Sequence, residues 1–470
     1  MINFIEHLNK YSFIEVASNI AEKRGEEFFL VGGYVRDIIL NRARDEMDFL
    51  IVGDGPAFAK EFAEQLGIPE IVVYKNFGTA HFKHQDLSLE FVGARKESYS
   101  RKSRNPKVEP GTLEDDICRR DFTVNTLAVS LNKKDFGKLI DKFNGVKDIE
   151  DKLIRTPLDP EKTFDDDPLR IMRAFRFVSQ LGFEIDQHTL NAASKMAERL
   201  KIVSQERITD EFLKILGSPK PSTGLKLLYE NGVMKTVFPE IDAMGGVEQR
   251  KEYHHKDVFY HTCIVVDNVA AVDENLWLRF AALVHDIAKP PTKKFVEGTG
   301  WTFHGHEELG ARMMKKIFER MRLPFTQLDY IEKLIRLHLR PIALVDEQVT
   351  DSAIRRLIVS AGEDLDDLIT LCRADITSKN PNKVSRYLEN YEIVMAKVHD
   401  VKERDKLREF QSPVRGDEIM KVCNIPPSKL VGEIKTAVEE AILDGKIANN
   451  YEEAYEYFLK IKDSFLPEGK

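Results

Sequence analysis

The sequence predicts an α+β protein in which a small mixed α/β head is followed by an elongated and almost wholly helical remainder. Apolar, β-prone runs at Phe28–Val31 and Phe49–Val52 predict two strands of the head. The run His84–Val92 alternates polar and apolar residues, which is typical of a third strand. Residues 1–24 are predicted to form an amphipathic helix, so the head is expected at about 25–150.

The composition is that of a soluble globular protein long enough for several domains, with 470 residues, 42% hydrophobic and 31% charged. No segment is an uninterrupted apolar span long enough for a bilayer, so we expect a cytoplasmic protein with no membrane partner. Four scattered cysteines lack paired metal-ligand spacing and are expected to be reduced thiols. Because the formal net charge is −8, any nucleic-acid binding must use local basic surfaces.

A glycine turn in the head offers a site for a phosphate group. Gly32 and Gly33 follow the strand Phe28–Val31 and precede a helix expected over Val35–Leu40, which carries Arg36. Glycine lets the backbone bend and approach a ligand, and a turn that opens a helix presents free N–H groups to an anion. We therefore expect Gly32, Gly33 and Arg36 to contact a nucleotide.

Two acidic residues follow this turn at the start of the next strand. Glu46 and Asp48 are two residues apart, so their side chains should project from one face of the strand, whereas Asp45 should point away. Both carboxylates can then share a site for Mg²⁺, which prefers hard oxygen ligands. A phosphate-binding turn beside paired carboxylates is typical of nucleotidyl transfer, in which metal ions activate a hydroxyl and stabilise leaving pyrophosphate. Glu46 and Asp48 are therefore the candidate catalytic and metal-binding acids.

Glu90 is the candidate for a third catalytic acid. It sits inside the alternating apolar run of the neighbouring strand, whereas Asp86 in the same run fits less well. Spacing alone is equally compatible with Glu90 as an acid at the surface end of the strand.

Two further segments add a family resemblance. Asp116–Ala128 is close to an Arg-Arg-Asp-Phe-Thr-x-Asn-Ala motif, and Phe164–Phe177 resembles a Glu-Asp-x-x-Arg motif. Together with the glycine turn and Glu46-Met47-Asp48, they resemble, in order, the motifs of class II tRNA nucleotidyltransferases, the family of CCA-adding enzymes and bacterial poly(A) polymerases. The resemblance implies a mixed α/β nucleotidyltransferase head followed by a helical neck, body and tail.

The metal motif departs from that family, which has Asp-x-Asp where this chain has Glu46-Met47-Asp48. Because glutamate is one methylene longer, its carboxylate must retract or the ion must shift, and Mg²⁺ tolerates poor geometry badly. The departure predicts slower catalysis or a preference for a larger ion such as Mn²⁺.

The resemblance also implies the residues that bind the nucleotide. Paired arginine forks suit triphosphate oxygens, and Asn125 can bond a sugar hydroxyl or a phosphate. Asp167 would accept from the amino group of cytosine or adenine while Arg170 donates to the ring nitrogen, which rejects uracil and guanine. We expect Asp166, Asp167 and Arg170 on one helix face, where a plain salt bridge is the alternative. The implied nucleotide-binding set is Arg119, Arg120, Asp121, Asn125, Asp166, Asp167, Arg170 and Arg173.

A basic segment, Arg95–Pro110, is predicted to be a mobile loop. The resemblance implies that such a loop serves addition of the terminal A after two C residues, which favours full CCA addition, or A addition, over C addition alone. A solvated surface loop is the alternative. The RNA-binding candidates in it are Arg101, Lys102, Arg104 and Lys107.

Histidines dominate a second constellation beyond residue 250. Apolar residues lead into the dipeptide His285-Asp286, which places two ligands where water is scarce. The pattern resembles the HD phosphohydrolase superfamily, whose metal is held by a histidine, a His-Asp pair and a distant aspartate. Imidazole with carboxylate suits Mn²⁺, Ni²⁺, Fe²⁺ or Zn²⁺ as much as Mg²⁺, so the identity of the divalent metal stays open. The implied ligands are His261, His285, Asp286 and Asp375, with His306 and His338 as further ligands of a fuller site. Surface or packing roles are expected for His254, His255 and His304.

The expected regions follow from these motifs and the resemblance. They are an N-terminal helix at 1–24, the nucleotidyltransferase head at 25–150, a helical neck and body for base selection and RNA binding at 151–245, an HD metal-binding domain at 250–385 and a C-terminal helical tail at 386–470.

The expected function is template-independent addition of CCA, from CTP and ATP, to the 3′ end of tRNA, together with an HD-domain phosphohydrolase activity. No obligatory protein partner is evident. One alternative is a poly(A) polymerase or A-adding enzyme of the same family, although the C-terminus lacks the basic tail usual in bacterial poly(A) polymerases. The other is an HD metal-dependent phosphohydrolase whose transferase head is inactive and only binds RNA.

Overall fold

The N-terminal part of the chain folds around one mixed β-sheet, and the C-terminal part is almost wholly helical. A computed structural model describes residues 3–42, 44–74, 78–100, 103–247, 257–346, 350–377, 380–405 and 412–466. The chain divides into two units, Met1–Pro239 and Glu240–Lys470. The α+β class predicted from the sequence is confirmed. No helix among the described residues is long and apolar enough to cross a membrane.

Seven of the strands form the sheet of the first unit. The strands, in chain order, are β1 (Glu27–Val31), β2 (Glu46–Val52), β3 (Val72–Tyr74), β4 (Thr79–His84), β5 (Leu87–Gly93), β6 (Arg95–Ser100), β7 (Ser103–Pro110), β8 (Ala128–Ser130), β9 (Leu139–Ile140), β10 (Leu153–Ile154), β11 (Glu184–Ile185), β12 (Lys294–Val296) and β13 (Gly300–Thr302). The order in the sheet is β3-β4-β5-β2-β1-β8-β9. β2 and β5 are parallel, while all the other neighbours in this sheet are antiparallel.

Helices cover the sheet and continue the first unit. They are α1 (Phe4–Leu8), α2 (Ser12–Arg24), α3 (Gly33–Ile39), α4 (Gly55–Gln65), α5 (Leu113–Cys118), α6 (Gly145–Glu150), α7 (Pro160–Asp166), α8 (Leu169–Leu181), α9 (Gln187–Lys195), α10 (Gln205–Leu216), α11 (Pro221–Glu230) and α12 (Met234–Val237). Asp54 caps α4 by accepting a hydrogen bond from the backbone N–H of Ala57 at 3.0 Å, which satisfies one of the free donors of the first turn.

Stacked phenylalanines join α4 to the sheet. The ring centroids of Phe49 on β2 and Phe91 on β5 lie 5.0 Å apart, and Phe28 on β1 lies 5.3 Å from Phe49. Phe58 and Phe62 on α4 pack against the same rings, at 5.0 Å from Phe28 and 5.6 Å from Phe91. All five side chains are fully buried, so this cluster fixes the strands that carry the acidic residues.

Two predictions about local structure are wrong. Residues 1–24 form two helices rather than one, because α1 ends at Leu8 with Asn9 as its C-cap, a residue type that disfavours helix interiors, and α2 begins only at Ser12. The basic segment Arg95–Pro110 is not a loop, since β6 and β7 pair as an antiparallel hairpin. The segment is basic and lacks the apolar alternation of a half-buried strand, which is why a loop was predicted. Strands can pair through their backbones without such alternation.

The second unit is a helical assembly with one small hairpin, formed by β12 and β13. After α13 (Pro239–Asp242), at the boundary of the units, its helices are α14 (Val258–Ala270), α15 (Leu276–Val284), α16 (Lys289–Thr292), α17 (His306–Met321), α18 (Leu328–Leu337), α19 (Arg340–Asp346), α20 (Asp351–Ala361), α21 (Leu365–Ala374), α22 (Pro381–Asp405), α23 (Gly416–Cys423), α24 (Lys429–Leu443) and α25 (Tyr451–Phe465).

The last three helices share a small apolar core that includes Ile434, Val438 and Phe458. Arg356 on α20 bonds Glu440 and Asp444 of α24 at 2.8 and 2.5 Å. The C-terminal helices are thus tied to the rest of the second unit.

Candidate functional site

Parallel pairing of β2 and β5 brings three carboxylates to one face of the sheet. The register sets Asp48 opposite Glu90 and Glu46 opposite Ser88, so Glu46, Asp48 and Glu90 project together. Met47, which points the other way, is fully buried in the core. Asp45 is exposed and precedes β2.

Burial makes Asp48 and Glu90 difficult to ionise in the absence of a cation. Burial raises the pKa of Asp48, and the positive charges of Arg44 and Arg120 offset this only in part. Burial also raises the pKa of Glu90, and the neighbouring carboxylates of Asp48 and Glu46 add to that rise. A cluster of hard oxygen donors that repel one another fits a divalent cation such as Mg²⁺.

Arg44 is a site residue that the sequence argument missed. Its Nη2 lies 2.9 Å from Oε2 of Glu46, and its Nη1 lies 3.2 Å from Oδ2 of Asp37. The side chain of Glu46 is 60% exposed, so this contact holds the longer acid at the edge of the carboxylate cluster. Its position just before the acidic pair was the only signal for Arg44 in the sequence.

The glycine turn is packed beneath arginine side chains. Gly32 has φ +72°, and a Cβ there would lie 2.6 Å from Nη1 of Arg120. A Cβ on Gly33 would overlap the guanidinium of Arg44. The positive φ of Gly32 favours glycine there, and a side chain at either position would displace the end of an arginine side chain that lines the site.

Arg36 points into the protein rather than along the turn. Its guanidinium donates to Asp37 at 2.9 Å and to Oδ1 of Asn125 at 2.7 Å. Asn125 in turn donates to Oδ1 of Asp121 at 2.9 Å, and Nε of Arg173 donates to Oδ2 of Asp121 at 2.7 Å. The chain of contacts from Arg36 to Arg173 fixes four predicted nucleotide-binding residues relative to one another.

The pKa of Asp121 reflects this network. Burial would raise it, but the charge of Arg173 and the hydrogen bonds from Asn125 and Arg173 outweigh burial and hold the pKa well below its usual range. Asp121 is thus a permanent anion that orients two donors.

Arg119 and Arg120 share one anchor. Both guanidinium groups donate to the fully buried carboxylate of Asp116, each through Nε, at 2.9 and 3.1 Å. Burial opposes ionisation of Asp116, but the two arginines outweigh it and lower its pKa. The paired forks are therefore held in place before any ligand binds.

The prediction that one helix carries Asp166, Asp167 and Arg170 is wrong. α7 ends at Asp166, Asp167 is extended with φ −140° and ψ +98°, and α8 begins at Leu169. Pro168 causes the break, because a proline disfavours the helical conformation in the residue before it. Arg170 donates instead to the carbonyl oxygens of Arg119, at 2.5 Å, and Thr163, at 3.3 Å.

One cavity of about 790 Å³ joins these elements. It is lined by ten cationic side chains and four carboxylates, so it suits a polyanion. Asp167 and Arg170 line it, whereas Asp166, although described, does not. The full lining is Gly33, Arg36, Arg44, Glu46, Asp48, Arg95, Arg119, Arg120, Asp121, Asn125, Asp167, Arg170, Arg173, Arg176, Phe177, Gln180, Arg207 and Lys214.

Phe177 organises three of the cations. The guanidinium carbons of Arg36, Arg173 and Arg176 lie 5.2, 5.5 and 4.6 Å from its ring centroid. Such contacts hold like charges near one another against an electron-rich ring. A single phenylalanine gave no signal of this role in the sequence.

The predicted RNA-binding residues lie on or beside the β6–β7 hairpin. Arg101 and Lys102 fall outside the described residues. Arg104 and Lys107 lie on β7, with Lys107 paired to Ser98 in the backbone register.

The second unit gathers the predicted HD ligands at the ends of five helices. Nε2 of His261 lies 2.8 Å from Oδ1 of Asp375. Nε2 of His285 lies 3.3 Å from Asp286 and 3.5 Å from Asp375. On its other side, Asp286 lies 3.3 Å from Nε2 of His306 and 3.9 Å from Nε2 of His338. All six predicted residues therefore surround one centre, with Asp286 shared by two sets of three potential ligands.

The histidine rings are oriented by their other nitrogen. Nδ1 of His285, His306 and His338 donates to the carbonyl oxygens of Ala282, Phe303 and Ile335 at 2.8, 2.8 and 2.6 Å. Nδ1 of His261 lies 2.8 Å from the hydroxyl of Thr377. A backbone acceptor at Nδ1 leaves the lone pair on Nε2, which is the arrangement found in metal sites.

The charges of this centre also fit a metal. Nε2 of His285 is buried and has no hydrogen-bond partner among the residues that the structure describes. Burial would lower the pKa of His285, but Asp286 and Asp375 outweigh it and raise the pKa to about 10, so a metal that binds Nε2 must displace a proton from it. Burial, together with the charge of His285, lowers the pKa of His338 to about 4. His304 is exposed, and His254 and His255 lie outside the described residues.

Comparisons with known proteins agree with both constellations. A poly A polymerase head domain matches residues 28–155, a probable RNA and SrmB-binding site of polymerase A matches 182–244, and an HD domain matches 258–378. The chain is 32% identical to the multifunctional CCA protein of Methylococcus capsulatus over 376 residues, or 74% of this chain and 81% of that protein. It is 31% identical to the A-adding tRNA nucleotidyltransferase of Deinococcus radiodurans over 352 residues, or 73% of this chain and 78% of that protein.

The chain belongs to the class II tRNA nucleotidyltransferase family. A third relative, the A-adding tRNA nucleotidyltransferase of Aquifex aeolicus, is 41% identical over 199 residues, so 40% of this chain matches 24% of that protein. Among solved structures, a CCA-adding enzyme shares the nucleotidyltransferase fold with a TM-score of 0.65 at 23% identity, covering 97% of this chain and 94% of that one. A tRNA nucleotidyltransferase complexed with a primer tRNA and an ATP analog gives 0.60 at 24% identity, covering 82% and 99%.

We expect the histidine centre of this nucleotidyltransferase to bind Mn²⁺. His285→Ala should weaken that binding at least about 100-fold, because even the loss of an outer-shell partner costs 10- to 100-fold. Isothermal titration calorimetry with Mn²⁺ should therefore lose one class of site. His304→Ala, which removes an exposed histidine nearby, is the matched control and should titrate like the wild type. Equal titrations for the His285→Ala variant and the wild type would contradict the assignment.

Proposed function

We propose that the enzyme adds C, C and A, from CTP and ATP, to the 3′ end of tRNA without a nucleic-acid template and releases pyrophosphate. The observation that carries the proposal is the single cavity in which Glu46 and Asp48 meet the arginine forks and the pair Asp167 and Arg170. Its excess of cations suits a triphosphate, which carries several negative charges.

In this proposal the triphosphate is held by Arg119 and Arg120, whose shared anchor Asp116 keeps both forks oriented. Mg²⁺ bound by Glu46 and Asp48 would activate the attacking 3′-hydroxyl and neutralise the leaving pyrophosphate. Glu90, whose pKa burial raises, is the carboxylate suited to receive the hydroxyl proton. The hydroxyl oxygen then bonds the α-phosphorus as the bond to pyrophosphate breaks.

Base choice would use Asp167 and Arg170, which line the same cavity from the two sides of Pro168. Cytosine and adenine both offer an amino donor beside a ring-nitrogen acceptor, and this pair matches that edge. For this role Arg170 must exchange at least one of its carbonyl contacts, with Arg119 or Thr163, for the base.

The names of relatives support the substrate class and leave the product open. One relative is named a multifunctional CCA protein and another an A-adding tRNA nucleotidyltransferase. Solved CCA-adding enzymes of similar fold have been determined with ATP and with CTP. Addition of A alone, or of a poly(A) tail, are the remaining alternatives within the family.

Extension of a tRNA that lacks its CCA end tests the proposal. Purified enzyme with Mg²⁺, CTP and ATP should add C, C and A and then stop, as resolved at single-nucleotide length. Asp48→Asn should slow each addition about 100-fold or more, the size of effect seen when one group that stabilises transition-state charge is lost. Asp45→Asn is the matched control, because Asp45 is an exposed acid that lies immediately before β2. If the enzyme adds only A to a tRNA that ends in CC, it is an A-adding enzyme. If it adds a long run of A residues, it is a poly(A) polymerase.

Glu46 sets the metal preference of the head in this proposal. Glu46→Asp restores the shorter carboxylate, so it should raise the rate with Mg²⁺ about tenfold and lower the ratio of the rates with Mn²⁺ and Mg²⁺. Both rates are measured on the same tRNA for the wild type and the variant. If the variant is slower with both ions, the longer side chain is part of the working geometry and this proposal for Glu46 is wrong.

We propose a second activity, hydrolysis of phosphate esters, for the HD centre. The convergence of four Nε2 atoms on Asp286 favours it. A divalent ion held by His261, His285, Asp286 and Asp375, with His306 and His338 beside it, would activate water and polarise the phosphoryl group. Lys289 donates to Oδ2 of Asp286 at 2.6 Å, which orients that carboxylate and places a cation near an incoming phosphate.

Hydrolysis of 2′,3′-cyclic AMP in the presence of Mn²⁺ tests this second activity. Asp286→Ala should reduce the rate about 100-fold or more, since it removes the residue shared by both sets of ligands. His304→Ala should retain it, and the addition of nucleotides to tRNA should be unchanged in both variants. An Asp286→Ala variant with full phosphodiesterase activity would refute hydrolysis at this centre.

A further inference from the structure

The β12–β13 hairpin of the second unit presents aromatic side chains to solvent. Phe295 on β12 lies directly opposite Trp301 on β13, and their ring centroids are 5.3 Å apart. Phe295 is 53% exposed and Trp301 37%. Exposed rings that adjoin one another and are surrounded by polar residues are suited to contact with a ligand or partner.

The charges around these rings are mainly positive. Nζ of Lys293 lies 4.4 Å from the ring centroid of Trp301, and Lys294 on β12 is exposed. Nζ of Lys289 lies 5.8 Å from the ring of Phe303, the residue that follows Thr302 of β13. Glu297, between the strands, is the acidic residue of the hairpin and is exposed. Aromatic faces next to lysines are suited to nucleobases joined to phosphates.

The segments on either side of the hairpin contact the histidine centre. On the N-terminal side, Lys289 of α16, the helix that precedes β12, donates to Asp286. On the C-terminal side, the carbonyl oxygen of Phe303 accepts from Nδ1 of His306 at 2.8 Å. A ligand stacked on the hairpin therefore lies beside the residues that would hold the metal.

We propose that the hairpin is a nucleobase platform, on which the terminal base of a single-stranded RNA 3′ end that carries a phosphate stacks on Phe295. Because the two rings meet edge to face at 74°, Trp301 would contact the same base at its edge. Lysines at its base would then direct that phosphate toward Asp286. The role of the platform in substrate binding rests on the proposed hydrolysis at the HD centre, whereas base stacking can be measured independently of it.

Fluorescence of Trp301 reports on the platform directly. The chain has two tryptophans, so in a Trp277→Phe background the emission comes from Trp301 alone. The probe is the ribotrinucleotide CCA with a 3′-phosphate, titrated in EDTA so that metal-dependent hydrolysis is blocked. We expect saturable quenching, a Kd about tenfold higher in Phe295→Ala, and recovery of affinity in Phe295→Tyr.

Two controls separate stacking from other effects. Phe325→Ala removes a ring of nearly equal exposure, 51%, elsewhere in the same unit, and should leave the Kd unchanged. A trinucleotide with an abasic 3′ residue should bind about tenfold more weakly and should be insensitive to Phe295→Ala. Absence of quenching, equal quenching by the abasic probe, or displacement of the signal by inorganic phosphate alone would overturn the platform.

Hydrolysis of 2′,3′-cyclic AMP separates base binding by the hairpin from the proposed phosphodiesterase activity of the HD centre. If the wild type hydrolyses it, Phe295→Ala should raise KM about tenfold and leave kcat unchanged, and an unchanged KM would overturn the platform. If the wild type does not hydrolyse it but base-dependent quenching is observed, the HD activity fails and the hairpin stands as an RNA-binding surface.

Discussion

The parallel pairing of β2 with β5 is the constraint on which the head depends. It sets Asp48 opposite Glu90, and the stacked rings of Phe49 and Phe91 fix the same two strands from the other face. Three carboxylates on one surface repel one another, so the chain surrounds them with cations, several of which are held by buried acids. Asp116 anchors the paired forks and Asp121 anchors Arg173, which means that even the positive residues are positioned by buried anions.

This arrangement explains how an acidic protein can handle polyanions. The formal net charge is −8, yet the head cavity has ten cationic side chains against four carboxylates. The field that a phosphate meets is that of the nearest side chains, because charges further away are screened within about 10 Å in salt solution. Packing of three guanidinium groups around Phe177 keeps the cations together, and each of the three also has a carboxylate partner, namely Asp37, Asp121 or Glu211.

Features with local signals could be predicted from the sequence, whereas those that depend on tertiary contacts could not. Strand alternation located Asp48 and made Glu90 a candidate, and the resemblance to the HD superfamily implied the six residues of the histidine centre. The prediction of one continuous helix from Asp166 to Arg170 was wrong, because Pro168 disfavours the helical conformation at Asp167 and interrupts the helix. Phe177 had no local signal, since its contact with Arg36 arises only when distant segments fold together, and the only signal for Arg44 was its position just before the acidic pair.

The histidine centre also has a consequence for the stability of the second unit. Its ligands come from the ends of α14, α15, α17, α18 and α21, so an ion there would cross-link five helices in addition to their mutual packing. Ligands that bind only the folded state stabilise it by mass action, by about 2.7 kcal/mol at one hundred times Kd. The folding equilibrium of this unit would then follow the free metal concentration of the cell, which couples its persistence to metal supply.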